Sequence, residues 1–337
     1  MAARRHVVMV THARLREGDQ VVSHVVDQLR HAGFKVSIVD NIMAPSFGGD
    51  TPSVDADTEI VLVLGGDGTI LRAAELVYRT DVPLLGINLG HVGFLAEFER
   101  FQMSEAIERV ADRDYQIDER VLAQADLMLP GVQEPLRDWA LNDITVERFD
   151  RGKMIEMGIR VDDVAMSSFS CDGLIVSTPT GSTAYGFSAG GPIIWPDVQA
   201  LQLVPLAAHA VFSRPLVIGS KSSFTLDILQ HSTSEGWICC DGRRQRPVPR
   251  GSRIKIRTSS KALRLAQLSE VPFTKRLVTK FNLPVVGWRE RAEAEQNAYL
   301  RTQEQRVHPE ESPKWSQAGR PDGPMLAGTD DQEGGDS

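Results

Sequence analysis

The sequence predicts an α/β domain built on a parallel sheet, followed by an all-β domain of two packed sheets. Three observations carry this. Strand-like and helix-like patterns alternate through the first third of the chain, the mark of β-α-β units. After about residue 120 the apolar runs become short and are separated by Gly, Pro, Asp and Ser, as in a β-sandwich. Between an apolar strand and a helix lies "GGDGT" at 65–69, at the strand's carboxyl end, where parallel sheets bind ligands.

In chain order, "HVVMV" (6–10) reads as a buried strand. Residues 18–32 carry Val21, Val22, Val25, Val26 and Leu29 at helical spacing, with Gly33 as the stop. "KVSIV" (35–39) is the next strand, and a polar Pro/Gly-rich loop covers 41–58. "EIVLVL" (59–64), "TILRAAELVYR" (69–79), "PLLGIN" (83–88) and 103–113 read as strand, helix, strand and helix. Beyond 120, runs such as "VLAQADLML", "DWALNDITVER", "MIEMGIRVDDVAMSSF", "GLIVST", "GWICCDGRR" and "SRIKIRTSS" read as short strands. Residues 196–210 break the pattern and are expected to be irregular or partly helical.

The domain boundaries expected are 1–120 for the α/β part and 121–270 for the sandwich. Residues 271–292 regain apolar character and are expected to pack back on the first domain. The stretch 293–337 is rich in Gln, Glu, Pro, Gly and Asp, the composition of a disordered tail.

Composition narrows the function. The 337 residues carry a formal net charge of −8, the wrong sign for a general nucleic-acid binder. No run approaches the ~18 apolar residues of a membrane span, and the apolar run at 7–10 is short for a signal-peptide core. Cys171, Cys239 and Cys240 form neither a C-x-x-C pair nor an evident disulfide, which fits a reducing cytoplasm. No protein metal cage is evident. Neither G-x-x-x-x-G-K-[ST] nor a G-x-G-x-x-G after the first strand occurs, so any phosphate cradle is of another kind.

"GGDGT" is a candidate for that cradle. Gly65, Gly66 and Gly68 permit positive φ and close ligand approach. Thr69 opens a helix whose amides attract anions, and Arg72 lies one turn in. Asp67 repels phosphate, so it is either the helix cap or a group that acts on something beside the phosphate. "DGLIVSTPTGSTAYGFSAGGPI" (172–193) combines hydroxyls, glycines and Tyr185. Such a stretch makes a polar wall of exposed amides with a ring to lie on a flat ligand. "LNDITVER" (141–148) places Asn142 and Asp143 between strand halves, as a bulge or as a ligand contact. Lys153 alone reads as a surface lysine, and Asp241-Gly242 as a hairpin turn.

Together these stretches, with "GINLGHVGFLAEF" (86–98), resemble the NAD kinase family over about residues 6–290. "PFTKRLVTKFNLPVVGW" (272–288) is similar to actinobacterial members. "GGDGT" is shared with lipid kinases and phosphofructokinases; "TGSTAY" with "SAGGP" is far more specific. The resemblance implies an α/β domain and a β-sandwich with the active site between them. It also implies transfer of phosphate from ATP, or another triphosphate or polyphosphate, to the 2′-hydroxyl of the adenosine ribose of NAD.

Mg²⁺ is then expected to arrive on the donor's phosphates, and the enzyme to be a cytoplasmic homodimer or homotetramer. By position, the resemblance makes Asp67 the general base, with Gly68 beside it. Asn142, Asp143 and Asp172 become dinucleotide contacts. So do Thr183, Ala184, Tyr185 and Ser188, with Gly186 and Phe187 between them, and the basic Arg72 and Lys153. Asp143 stands where many members have Glu. A diacylglycerol-type lipid kinase would share "GGDGT" but need an apolar acceptor groove. A non-catalytic dinucleotide sensor would keep the wall and have no need of the acid.

Overall fold

Two β-sheets organise the chain, and one of them runs from the α/β part into the sandwich. The computed structural model describes residues 5–285, apart from 13–14, 16–18, 41, 51, 89–92, 97, 100–102, 211–212 and 269–270. The expectations for 89–92, 286–292 and the 293–337 tail lie outside the described residues. Among the described residues, no helix is long and apolar enough to cross a membrane.

The α/β part is built from β1 (His6–Thr11), α1 (Gln20–His31), β2 (Lys35–Val39), β3 (Thr58–Leu64), α2 (Asp67–Val77) and β4 (Leu84–Asn88). The short β5 (Phe98–Glu99) and α3 (Met103–Asp112) complete it. Strands β4, β3, β1 and β2 pair in parallel. Apolar side chains fill both faces. Val7, Met9, Ile60 and Leu62 pack with α1 and α3, while Val8, Val10, Val61 and Val63 pack with α2. Alternation along a strand sends neighbours to opposite faces, so a two-sided core needs the continuous apolar runs seen here. Asp19 caps α1 through its side chain, and Gly33 takes φ +89° where the helix stops.

The second half begins with β6 (Gln116–Met128), β7 (Leu136–Ala140), β8 (Asp143–Arg148), β9 (Ile155–Val161) and β10 (Val164–Cys171). Next come β11 (Gly173–Ser177), a 3₁₀ turn (Thr180–Thr183) and the one-turn α4 (Tyr185–Ser188). The remaining strands are β12 (Ala200–Leu206), β13 (Leu216–Gly219), β14 (Ser223–Ile228), β15 (Gly236–Cys240), β16 (Arg244–Val248) and β17 (Arg253–Gln267). Helix α5 (Phe273–Phe281) closes the described chain.

One six-stranded antiparallel sheet has the order β13-β12-β11-β8-β15-β16. Its inner face packs Ile144, Val146, Leu174, Val176, Leu201, Leu203 and Ile238 against Met157, Phe224, Leu226 and Ile256 of the other sheet. The two sheets enclose an apolar core between them, as alternating strands require.

Strand β17 joins the halves. Its first part pairs with β14, and its later residue Leu265 pairs in parallel with Leu84 of β4. Strand β6 follows it antiparallel through most of that length, so the sheet crosses residue 120 without a break.

One expectation is corrected. Residues 200–206 form β12 rather than an irregular or helical segment. The strand is held on one side by β11 and on the other by β13. Its Pro205 lies beyond the last residue paired with β13, so its missing N–H breaks no ladder on that side.

Candidate active site

The turn after β3 is shaped by one close approach. A Cβ on Gly65 would sit 2.4 Å from the Thr69 hydroxyl oxygen, so only glycine fits there. The expectation of positive φ for Gly65, Gly66 and Gly68 is not met: none of the three adopts it. A Cβ on Gly66 or Gly68 would meet nothing within 4 Å. These two leave open surface before the first turn of α2 instead of relieving strain.

Asp67 is not the helix cap. Gly66 holds that position, with no side-chain cap bond. The Asp67 carboxylate accepts the backbone N–H of Phe94 at 3.0 Å and of Leu95 at 3.1 Å. Gly93 makes this possible, because a Cβ there would lie 2.3 Å from the Asp67 Oδ1. Helix α5 fixes the loop from behind. Arg276 donates to the carbonyls of Phe94 (3.1 Å) and Ala96 (3.3 Å), and the Phe94 ring packs on Phe273 and Phe281. A carboxylate offers about four lone-pair positions; two are held here, and the half-buried side chain keeps the others available.

Arg72 lies back over the end of β1, 3.4 Å from the Thr11 carbonyl and from the Thr69 hydroxyl. Burial and the neighbouring Arg243 lower its pKa, against the pull of Glu75.

Across from α2, Asn142 and Asp143 open β8. Asp241 holds this corner. Its buried carboxylate accepts the N–H of Leu141 (3.0 Å) and of Asn142 (2.7 Å), and lies 3.3 Å from Arg244. Asp241 and Gly242 both take positive φ at the head of the three-residue turn 241–243 between β15 and β16. Arg244 carries the link onward: it is 1% exposed and bonds Glu75 of α2 (2.8 Å) and Asp138 of β7 (2.9 Å). Arg243 reaches Glu75 as well, at 2.9 Å. The helix that carries Asp67 is thus tied by buried charge to the corner that carries Asn142.

Thr178 donates through its N–H to the Asn142 carbonyl and through its hydroxyl to the Leu141 carbonyl. Gly181 packs so closely that a Cβ would sit 1.9 Å from the Asn142 oxygen. Ser182 accepts the N–H of Ile194 at 2.9 Å and locks the 3₁₀ turn. Gly186 and Gly191 let the following segment lie on Ser177, Gln202 and Val204. Asp143, Thr145 and Glu147 alternate along β8, and Asp143 pairs with Ser177 of β11; Asp143, Thr145 and Ser177 are all buried. The Asp143 carboxyl is pushed up to about 7, first by burial, then by Asp241 and Glu147. The Tyr185 phenol is raised, first by burial and then by the charges of Glu147, Asp143 and Asp172.

The structure therefore brings together Asp67, Gly68 and Arg72 at the start of α2. It brings Asn142 and Asp143 together with Thr183, Ala184, Tyr185, Gly186, Phe187 and Ser188 at the carboxyl end of β11. Thr183 and Ala184 are half-buried; Tyr185, Phe187 and Ser188 are exposed. Among the described residues the Asn142 side chain has no partner. Asp172 stands at the opposite end of β11, paired with Arg148 at 2.8 Å. Lys153 lies past the far end of β8, exposed and 3.4 Å from Asp150. At ~3.3 Å per residue, the six-residue β8 separates it from Asn142 by some 17 Å or more within one chain.

Sequence reasoning missed Asp241, Arg244 and Glu75. Their only sequence sign was the hairpin dipeptide. The one metal-like grouping among the described residues, His6 with Asp55 and Asp57, lies at the amino ends of the strands, away from Asp67. Both ring nitrogens of His6 are taken, by Asp57 and Ser37, and Lys35 already neutralises Asp57.

Residues 48–115 match the family model of the ATP-NAD kinase N-terminal domain, and 141–268 match that of the C-terminal domain. The NAD kinase of Bifidobacterium longum subsp. infantis is 67% identical over 293 residues, 87% of each chain. That of Leifsonia xyli subsp. xyli is 47% identical over 301 residues, 86% of this chain and 98% of its own. In fold, the chain is similar to yeast NADH kinase complexed with NADH, with TM-score 0.73, 20% identity, and coverage of 84% and 89%. It is also similar to an NAD kinase from Archaeoglobus fulgidus in complex with ATP, with TM-score 0.62, 24% identity, and coverage of 82% and 97%.

Proposed function

We infer the work of this site from one premise: the chain belongs to the NAD kinase family. The protein is an enzyme that uses ATP to phosphorylate NAD on its adenosine ribose 2′-hydroxyl, giving NADP. NAD offers several hydroxyls, so the enzyme's task is to hold one of them in line with the terminal phosphate.

Asp67 orients that hydroxyl and accepts its proton late in the transfer. The observation that carries this role is its fixed carboxylate, pinned by two backbone amides with lone pairs to spare. Gly68 and the first amides of α2, with Arg72, hold the phosphates. Asn142 and Asp143 hold the dinucleotide's polar edge, while Thr183 to Ser188 form its wall, with Tyr185 against a ring. Asp172 and Lys153, at the far end of the same strands, meet the part of NAD most distant from Asp67. Mg²⁺ would arrive on the donor's phosphates, with the Asp67 carboxylate as an available oxygen ligand, and would spread the transferring charge when bound.

The carboxyls and hydroxyl of Asp143, Thr145 and Glu147 on β8 suit hydrogen bonding to a dinucleotide better than contact with a diglyceride's acyl chains. The exposed Phe149, Val164, Trp195 and Val217 favour a homodimer or homotetramer, checked by sedimentation; a cytoplasmic location follows the same reading. The test of function is to incubate the purified chain with NAD, ATP and Mg²⁺. The expected product carries its new phosphate on the 2′-oxygen. A parallel arm replaces ATP with polyphosphate. Phosphate on the 3′-oxygen, or on a diglyceride offered in place of NAD, contradicts the reading.

A further inference from the structure

A cavity of about 370 Å³ lies at the opposite end of α2 from Asp67. Tyr78 follows the last residue of the eleven-residue helix, so at 1.5 Å per residue the two places are some 16 Å apart. The volume falls in the roughly 300–1,000 Å³ range of small-molecule sites.

Its lining is basic and aromatic, in a chain whose net charge is −8. Arg79, Arg137 and Lys261 contribute three cations, none firmly neutralised. The partner of Arg79 is the fully exposed Asp50 at 3.9 Å, a contact that contributes little. Arg137 lies 3.3 Å from Asp126, which also serves Arg257 at 3.2 Å, so one carboxylate stands between two guanidiniums. Lys261 has no carboxylate partner among the described residues; its ammonium lies 5.6 Å from the Tyr78 ring centre. The acid in the lining, Asp138, is already spent on the N–H of Gly48, its own chain at Trp139, and Arg244. The aromatic wall is a stack of Tyr78 on Trp139, with ring centres 4.2 Å apart and planes within 11°. The Tyr78 hydroxyl has no hydrogen-bond partner among the described residues.

Three under-neutralised cations around a preformed aromatic wall suit an anion with a flat part. We propose that this cavity is an accessory site for a phosphorylated small molecule of nucleotide size. Its phosphate is held by Arg79, Arg137 and Lys261, and its planar portion lies against Tyr78. The site is separate from the one that phosphorylates NAD, and its occupation does not depend on the roles assigned to Asp67. It has a route to that site nonetheless. Trp139 carries Arg244 on its ring at 4.5 Å, and Arg244 holds Glu75 of α2.

The test uses the full chain with NAD saturating, so that the dinucleotide site is filled, at about 0.15 M salt to screen distant charge. Calorimetry follows two probes, pyrophosphate and adenosine 5′-monophosphate. Arg137→Glu and Lys261→Glu reverse exposed charges outside the catalytic machinery, and NADP formation without probe should stay within about twofold in both. The proposal expects at least one probe to bind the wild-type chain and to bind both variants at least tenfold more weakly. A response to pyrophosphate alone identifies free phosphates as the source, and a response to the monophosphate identifies a nucleotide. If neither probe binds the wild-type chain, or either variant loses less than tenfold for both probes, the proposal is overturned.

Discussion

Asp67 shows how a residue's role follows from what its side chain faces. A helix cap would have turned its carboxylate back on its own amides; instead it reaches the amides of Phe94 and Leu95. That contact is absent from "GGDGT" itself, since its partners lie 27 and 28 residues later. Tyr185 was legible as a ring beside hydroxyls, and it is exposed at 41%. Tyr185→Ala should therefore weaken NAD binding, measured by calorimetry, with little change in stability; unchanged affinity removes the ring from the contact.

Asp143 gives a pH prediction. Its carboxyl titrates at about 7 in the fold and near 3.9 when unfolded. Between those values the folded protein holds a proton that the unfolded chain releases, so this group's contribution to stability falls as pH rises from about 4 to 7. Asp143→Asn cannot titrate. Its melting temperature relative to wild type should climb across that window and level off above it. A flat difference would show that the carboxyl is not buried as described.

Among the elements, the β15–β16 hairpin does more than its sequence announced. Asp241-Gly242 reads correctly as a hairpin turn. What the sequence did not reveal is that the Asp241 side chain folds inward onto Leu141 and Asn142, about a hundred positions away. Nor does "GRR" announce an arginine 1% exposed. Local patterns report the backbone; they are silent on partners fixed only by packing. Strand β12 is the opposite case: its Pro205 obscured a strand whose support comes wholly from its neighbours. Arg244 is the hub between α2, β7 and the hairpin. Arg244→Met would leave Asp138 and Asp241 buried without their arginine, while Glu75 would keep Arg243 alone. Losing one partner of a buried ionic group costs about 3–5 kcal/mol. Denaturant unfolding should show a loss of that order; a loss below about 1 kcal/mol would mean that the acids are neutral or solvated.

For the molecule as a whole, the sequence divided near residue 120, whereas the hydrogen-bonding runs on through it. Strands β6 and β17 pair over most of their length and extend one sheet from the sandwich to β4. Helix α5 adds a second bridge, from Phe94 on the Asp67 loop to Phe187 on the wall. The buried charges from Glu75 to Asp241 make a third. The site is thereby assembled from remote segments at fixed spacing, which is what in-line transfer to one hydroxyl among several requires.

The central claim is that Asp67 acts on that hydroxyl rather than on binding. Asp67→Asn keeps the side chain's size and changes its charge. Turnover to NADP and the NAD dissociation constant should be measured on the same purified variant. The account predicts turnover reduced by ~100-fold or more, with NAD affinity within about tenfold of wild type. Near-normal turnover with unchanged affinity would contradict it.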